Sequence, residues 1–241
     1  MYDLALVVLV SVQVTAVAYL YQPKWKALAF SFPIPFTFGT LALGQPVDAT
    51  NVLGLMLVLA FLHAVRILYQ RFEVPIVIAI AVSAFAYGVI GLALAKIVPG
   101  SDLAFYLACS CAIAVATMLV RLPRHADEPG HRTSLPIWVK LPIILAVVIV
   151  LIVIKHQLRG FMASFPLVGV LAAYEARHSL RTLCRQLTIM FFCMIPLMIV
   201  SRLLEPRIGL SASLAAGWIP CMTILAVYSR SLWKGKNDEA G

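Results

Sequence analysis

The stretch Ser31–Phe36, SFPIPF, lies inside an apolar run that extends from residue 27 to residue 43. Proline has no backbone N–H and its ring displaces the carbonyl four residues earlier, so Pro33 and Pro35 interrupt any helix there. At membrane depth, the freed carbonyls must be buried in protein or face a water-filled cavity. The stretch therefore predicts a helix that is broken inside a membrane.

The composition of the whole chain also points to a membrane. The chain has 241 residues, of which 62% are hydrophobic and 12% are charged, whereas a soluble domain carries about 25% charged residues. Its long apolar runs are continuous rather than alternating, which favours helices over a barrel. We expect an all-α polytopic protein with about nine transmembrane helices, surrounded by the lipid bilayer.

The nine longest apolar segments are the expected spans. They are residues 2–21, 27–43, 52–70, 75–99, 103–122, 138–157, 160–176, 183–203 and 210–232. The polar stretch between the fifth and sixth segments divides the chain. The expected parts are a first repeat 1–122, a cytoplasmic linker 123–137, a second repeat 138–233 and a cytoplasmic tail 234–241. The second and seventh segments are near the shortest length that crosses a bilayer, so they either span it or enter and return.

The distribution of Lys and Arg predicts the orientation. Fourteen of the nineteen fall on the side that holds the C-terminus and the loops after odd-numbered spans. Cytoplasmic loops carry an excess of these residues. We therefore expect the N-terminus outside and the C-terminus in the cytoplasm of a bacterial inner (plasma) membrane.

The Ser-Phe-Pro triplet occurs a second time, at residues 164–166, with an offset of 133 from residues 31–33. At the same offset Lys26 matches the basic residue Arg159. Because five spans separate the copies, the second copy crosses the membrane in the opposite direction, as in an inverted-topology repeat. We expect an inverted 5+4 repeat with one proline-broken helix in each half.

Paired broken helices predict a solute site near the middle of the membrane, lined by helix N-termini and hydroxyl groups. His63 and Arg66 share one face of the third span, and an ionisable residue inside a span is a functional candidate. The candidate substrate-binding residues are Ser31, Pro33, Pro35, Thr37, His63, Arg66, Ser164 and Pro166. The alternatives are that neighbouring helices satisfy each proline kink and that the Arg66 side chain extends to the membrane interface.

The expected function is a secondary transporter or channel for a small anionic or polar solute. Among the carboxylates only Glu175 approaches a span interior, whereas cation-coupled carriers use intramembrane carboxylates. The alternatives are a membrane subunit that transports nothing and, with less support, a lipid-modifying enzyme. A homo-oligomer is compatible with either class.

No catalytic motif or metal-ligand spacing is evident, so we expect no enzyme activity, no catalytic residues, no cofactor and no metal. The five cysteines lie in or beside apolar runs and are interpreted as packing residues. The net charge of +9 comes from dispersed cations rather than a basic patch, which argues against nucleic-acid binding.

Overall fold

The computed structural model describes residues 2–20, 29, 31–121, 157–164 and 167–234. Every regular element in these ranges is an α-helix and none is a strand, which confirms the all-α prediction. The helices are α1 (Tyr2–Tyr19), α2 (Ile34–Leu43), α3 (Ala49–Gln70), α4 (Ile76–Ile97), α5 (Asp102–Val120), α6 (Gly160–Ala163), α7 (Leu167–Glu175) and α8 (Leu180–Lys234).

Four helices in the described ranges are long and apolar enough to cross a membrane. They are α3, α4, α5 and the Leu180–Tyr228 part of α8. Helices α4 and α5 expose large apolar side chains such as Phe85 and Leu107, while they bury small residues such as Ala79 and Ala112. A surface of this kind is compatible with an integral membrane protein whose helices face lipid.

Helix α8 is folded into two antiparallel arms. Gly209 has φ 77° and ψ 166°, outside the helical region, and it separates a first arm, residues 180–208, from a second arm, residues 210–234. The Ser201 hydroxyl donates to the carbonyl of Ser213 at 3.3 Å. A Cβ on Gly217 would lie 2.7 Å from the Leu197 carbonyl oxygen, so only glycine allows the arms to approach this closely.

Each Ser-Phe-Pro triplet lies next to the end of a described helix. Residues 31–33 are non-helical and precede α2, while α6 ends before Ser164 and α7 begins at Leu167. We call residues 29–43 the first broken segment and residues 160–175 the second. Phe165 and Pro166 lie outside the described residues, as do the linker 123–137, most of the predicted sixth span and the tail after residue 234. The count of nine spans and the inverted repeat stay predictions.

Helix α3 lies at the centre of the described bundle, because it packs against α4, α5, α6 and α8. Its N-terminus is fixed by a capping box. The Asp48 carboxylate accepts from the Thr50 N–H at 2.9 Å, and the Asn51 side-chain oxygen accepts from the Asp48 N–H at 2.9 Å. Such a cap satisfies N–H groups that a helix leaves without partners. It also fixes the surface on which α6 packs.

Candidate functional site

The first broken segment is satisfied by a side chain from α1. In an unbroken helix the carbonyl of Ala29 would accept from residue 33, but Pro33 has no N–H. The Gln13 Nε2 atom supplies the missing donor, at 2.8 Å from the Ala29 oxygen and 3.2 Å from the Phe32 oxygen. Gln13 is only 6% exposed. A buried amide therefore takes the place of the backbone donor that the proline removes.

The first arm of α8 contacts the same break through Ser31. The Gln186 Nε2 atom donates to the Ser31 hydroxyl at 3.0 Å, and both side chains are buried. Ser31 is thus part of a polar cluster in an apolar interior, and its predicted role in solute binding stays a prediction. Its hydrogen-bonding residue lies 155 positions further along the chain.

The second arm of α8 contacts the first turn of α2. The Thr37 hydroxyl donates to the Pro33 carbonyl at 2.8 Å and accepts from the Trp218 indole N–H at 2.9 Å. The backbone N–H of Thr37 also donates to the Pro33 carbonyl, at 2.9 Å. Like Gln13 and Gln186, Trp218 is a side chain from another helix that binds the first broken segment.

Sequence reasoning missed Gln13, Gln186 and Trp218. A signal for Gln13 exists, because it is the amide side chain within the first apolar segment and polar groups inside spans are costly. Gln186 gives the same signal in the eighth segment. Nothing in the sequence pairs either amide with a particular break, because that pairing depends on which helices become neighbours.

The second broken segment is held by the N-terminus of α3. The Gly160 N–H donates to the Thr50 hydroxyl at 3.0 Å, and the Asn51 side-chain amide donates to the Gly160 carbonyl at 3.3 Å. The Ser164 hydroxyl donates to the Asn51 carbonyl at 3.0 Å. A Cβ on Gly160 would lie 2.6 Å from the Asn51 nitrogen, so this contact requires glycine.

Helix α4 also contacts the second broken segment. The buried Tyr87 hydroxyl donates to the Phe161 carbonyl at 2.9 Å. A Cβ on Gly54 would lie 2.8 Å from the Cβ of Ser164, so α3 and the second broken segment are in close contact at two glycines. The two broken segments also touch each other, because a Cβ on Gly39 of α2 would lie 2.9 Å from the Cα of Ala163.

Two arginines tie the loops at one end of the bundle. The guanidinium of Arg159 lies 2.6 Å from the Asp48 carboxylate and donates to the carbonyls of Ala95 and Val98. Arg202 pairs with Asp102 at 2.7 Å. Arg159 has φ 50°, an unfavourable conformation for a residue with a side chain, and these three bonds hold it there.

A cavity of about 350 Å³ lies between these loops. Its lining contains both ion pairs and a third carboxylate, and consists of Gln45, Pro46, Asp48, Gly100, Asp102, Arg159, Arg202, Glu205 and Pro206. Most guanidinium donors of the two arginines already bind carbonyls or carboxylates of the protein. The two arginines therefore mainly connect the loops, and few of their donors remain for a ligand in the cavity.

His63 and Arg66 lie towards the other end of α3. The His63 Nδ1 atom is 2.9 Å from the Leu59 carbonyl oxygen, one turn earlier in the same helix. At 1.5 Å rise per residue, Arg66 lies about 22 Å along α3 from Asn51. Among the described residues, no hydrogen bond joins His63 or Arg66 to either break, and their role stays a prediction.

The other candidates divide between the two breaks. Ser31, Pro33, Pro35 and Thr37 lie together at the first, Ser164 lies at the second, and Pro166 lies outside the described residues. Within the described part of the chain, no group of three or more His, Cys, Asp or Glu side chains is arranged to hold a metal ion.

No protein-family model, no curated protein and no solved structure matches this chain.

Proposed function

We propose that this protein is a secondary transporter or channel with an inverted 5+4 repeat, which moves a small anionic or polar solute past its two broken segments. The observation that carries the proposal is reciprocal contact between the halves. The first broken segment binds Gln186 and Trp218 of the second half. The second binds Asn51 and Tyr87 of the first half.

The repeat offset supports this reciprocity quantitatively. At the offset of 133, Gln186 corresponds to position 53, two residues from Asn51. Trp218 corresponds to position 85, two residues from Tyr87. Equivalent helices of opposite halves therefore donate hydrogen bonds to, or accept them from, equivalent broken segments. Contacts of this kind are expected when a pseudo-two-fold axis in the membrane plane relates two halves that exchange their broken helices.

Many transporters bind their solute where two such broken helices meet, because unwound backbone can exchange its hydrogen bonds with a solute. The first broken segment offers this exchange in an apolar interior, where Gln13 replaces a backbone donor and Gln186 donates to the Ser31 hydroxyl. The contact between Gly39 and Ala163 brings the two broken segments together. A subunit that transports nothing would need the same fold but no solute exchange at the breaks.

The test is solute flux through vesicles that contain the purified protein. Stopped-flow light scattering after an osmotic shock follows the entry of unlabelled solutes, so a panel of small anions and small uncharged solutes can be compared. We expect at least one solute to enter faster than through protein-free vesicles. Gly88→Ala, where an added Cβ meets nothing within 4 Å, is the control variant and should give the same solute entry as the wild type. If no solute of the panel enters faster than through protein-free vesicles, the transport proposal is wrong and the subunit alternative is favoured.

The proposed orientation has the N-terminus outside and the 123–137 linker and C-terminus in the cytoplasm of a bacterial inner membrane. The Lys and Arg asymmetry supports it. Cysteine labelling tests this orientation. Single cysteines are placed in a cysteine-free background, and sealed cells are treated with an impermeant maleimide. We expect labelling near residue 46 and protection of residue 127. Labelling of residue 127 from outside would reverse the orientation.

A further inference from the structure

The Gln13 amide is hydrogen-bonded through its nitrogen but not through its oxygen. Its Nε2 atom donates to the carbonyls of Ala29 and Phe32. Exchanging the oxygen and nitrogen would set an acceptor against two carbonyl oxygens, so the hydrogen bonds fix the orientation of the amide. The Oε1 atom is therefore the free acceptor, and among the described residues it has no hydrogen-bond partner although Gln13 is 94% buried. A buried carbonyl without a donor is unstable, and a bound group with an N–H or O–H would stabilise it.

Backbone donors occur at the start of α2, which directly follows the break. Helix α2 has ten residues, and its N-cap, Pro33, provides no side-chain hydrogen bond. The N–H groups of Ile34 and Phe36 have no intrahelical partner, because they are in the first turn, and Pro35 between them has no N–H. The break thus presents an acceptor on Gln13 and backbone donors at the start of α2. A ligand that satisfies both must itself carry a donor and an acceptor.

The groups that form the first break are uncharged. They are two amides, two hydroxyls and an indole, from Gln13, Gln186, Ser31, Thr37 and Trp218. A buried ion needs an opposite charge or several strong hydrogen bonds to replace its hydration. One partial positive helix terminus, with two N–H groups that have no intrahelical partner, replaces little of an anion's hydration, and the open Gln13 oxygen would repel the anion.

We infer that the first broken segment is the solute site and that it selects an uncharged solute with both a hydrogen-bond donor and an acceptor, such as a carboxamide or a polyol. The inference rests on the proposed transport function and narrows its solute class. Gln13 contacts the solute through Oε1 while Nε2 holds the break open. Thr40 of α2, whose buried hydroxyl also lacks a partner among the described residues, is a second contact candidate.

The experiment compares acetamide and glycerol with potassium methanesulfonate in phosphatidylcholine–phosphatidylglycerol vesicles. Valinomycin is added to the methanesulfonate samples so that membrane potential does not limit the anion. We expect the protein to accelerate acetamide or glycerol entry and to leave methanesulfonate entry at the protein-free rate. Gln13→Met should reduce the accelerated entry by about tenfold or more, because it removes the open acceptor.

Two further variants keep the test decisive. Ser83→Ala removes another buried, unpartnered hydroxyl, on α4, and should leave entry unchanged. Gln13→Asn keeps an amide at a shorter reach and should retain part of the entry, which provides a readout if Gln13→Met does not fold. Equal entry through Gln13→Asn and wild type, or through a folded Gln13→Met and wild type, would overturn the inference. Faster entry of methanesulfonate alone would overturn it while the transport proposal stands, and no accelerated entry of any solute would end both.

Discussion

The two broken segments share a triplet of residues but are held in different ways. Side chains from distant helices bind the first one, through Gln13, Gln186 and Trp218. The second one is held by hydrogen bonds from Thr50, Asn51 and Tyr87 and also by close approach at Gly160 and Gly54, which leave no room for a Cβ. A side chain can rotate and exchange its partner for a solute, whereas packed backbone cannot move without displacing its helix. If the proposed transport function holds, we expect the second break to be a rigid support and the first to be where solute exchange takes place.

The charged end of the bundle strengthens the support of the second break. Arg159 directly precedes Gly160, and its guanidinium binds the Asp48 carboxylate that caps α3. The same cap positions Thr50 and Asn51, which hydrogen-bond to Gly160. The start of the second broken segment is therefore tied to α3 by an ion pair and by hydrogen bonds between the Gly160 backbone and the Thr50 and Asn51 side chains. The first broken segment packs along α1 and accepts hydrogen bonds from its Gln13 side chain.

The largest expected effect is at the rigid break. Gly160→Ala places a Cβ 2.6 Å from the backbone nitrogen of Asn51, which the α3 cap prevents from moving. We expect the free energy of unfolding to fall by about 3 kcal/mol, at the upper end for overpacking. Denaturation of the purified protein in detergent measures it, and Gly88→Ala, with open space around its Cβ, is the control. Equal stability of the two variants would show that the second break is not rigid.

The next effect is the loss of one buried hydrogen bond to the second break. Tyr87→Phe removes the hydroxyl that donates to the Phe161 carbonyl at 2.9 Å. The unpaired carbonyl should lower the free energy of unfolding by about 1–2 kcal/mol. Tyr106→Phe is the control, because the Tyr106 side chain is exposed. Solute entry should keep its wild-type rate in vesicles, and a clear loss of entry at full stability would make the second break part of the solute site.

The two serines allow the same substitution at both breaks. Ser31→Ala and Ser164→Ala each remove a hydroxyl that bonds to the opposite half. Each should lower the free energy of unfolding by about 0.6 kcal/mol, the average for interhelical hydrogen bonds in membranes. Only Ser31→Ala should slow solute entry, because it frees the Gln186 amide at the solute site. Equal losses of entry would mean that both breaks bind the solute.

A salt-dependent effect is expected at the ion pair next to the second break. Asp48→Asn keeps an N-cap side chain and removes the charge that faces Arg159. Because Arg159 is 30% exposed, the stability loss at low salt should be under about 1 kcal/mol and should shrink at high salt. Asp48→Ala loses the cap as well, which should add about 1 kcal/mol at either salt concentration. If the stability loss of Asp48→Asn did not depend on salt, the contribution of the Asp48–Arg159 contact would come from its hydrogen-bond geometry rather than from its charge.

Much of the first break was predictable from local pattern. Proline interrupts a helix wherever it occurs, so the sequence points to Ser31, Pro33 and Thr37, and they lie together at the break. The charge of His63 and Arg66 inside a span makes them candidates. Their position on one face of α3 follows from helical periodicity, but no described contact brings them to either break. Charge in a span indicates an energetic cost, and it does not indicate the direction in which the side chain points.

The sequence by itself determined that the chain is helical and that its long apolar segments suit a membrane, and it predicted a break at each Ser-Phe-Pro triplet. Hydropathy and the missing proline N–H are local properties, so they act in any tertiary context. Only the tertiary structure decided which groups satisfy the breaks. The hydrogen bonds to Gln13, Gln186 and Trp218 span 16, 155 and 181 residues of the chain. A freed carbonyl requires some donor, but packing of the helices selects the donor, and no local rule contains that information.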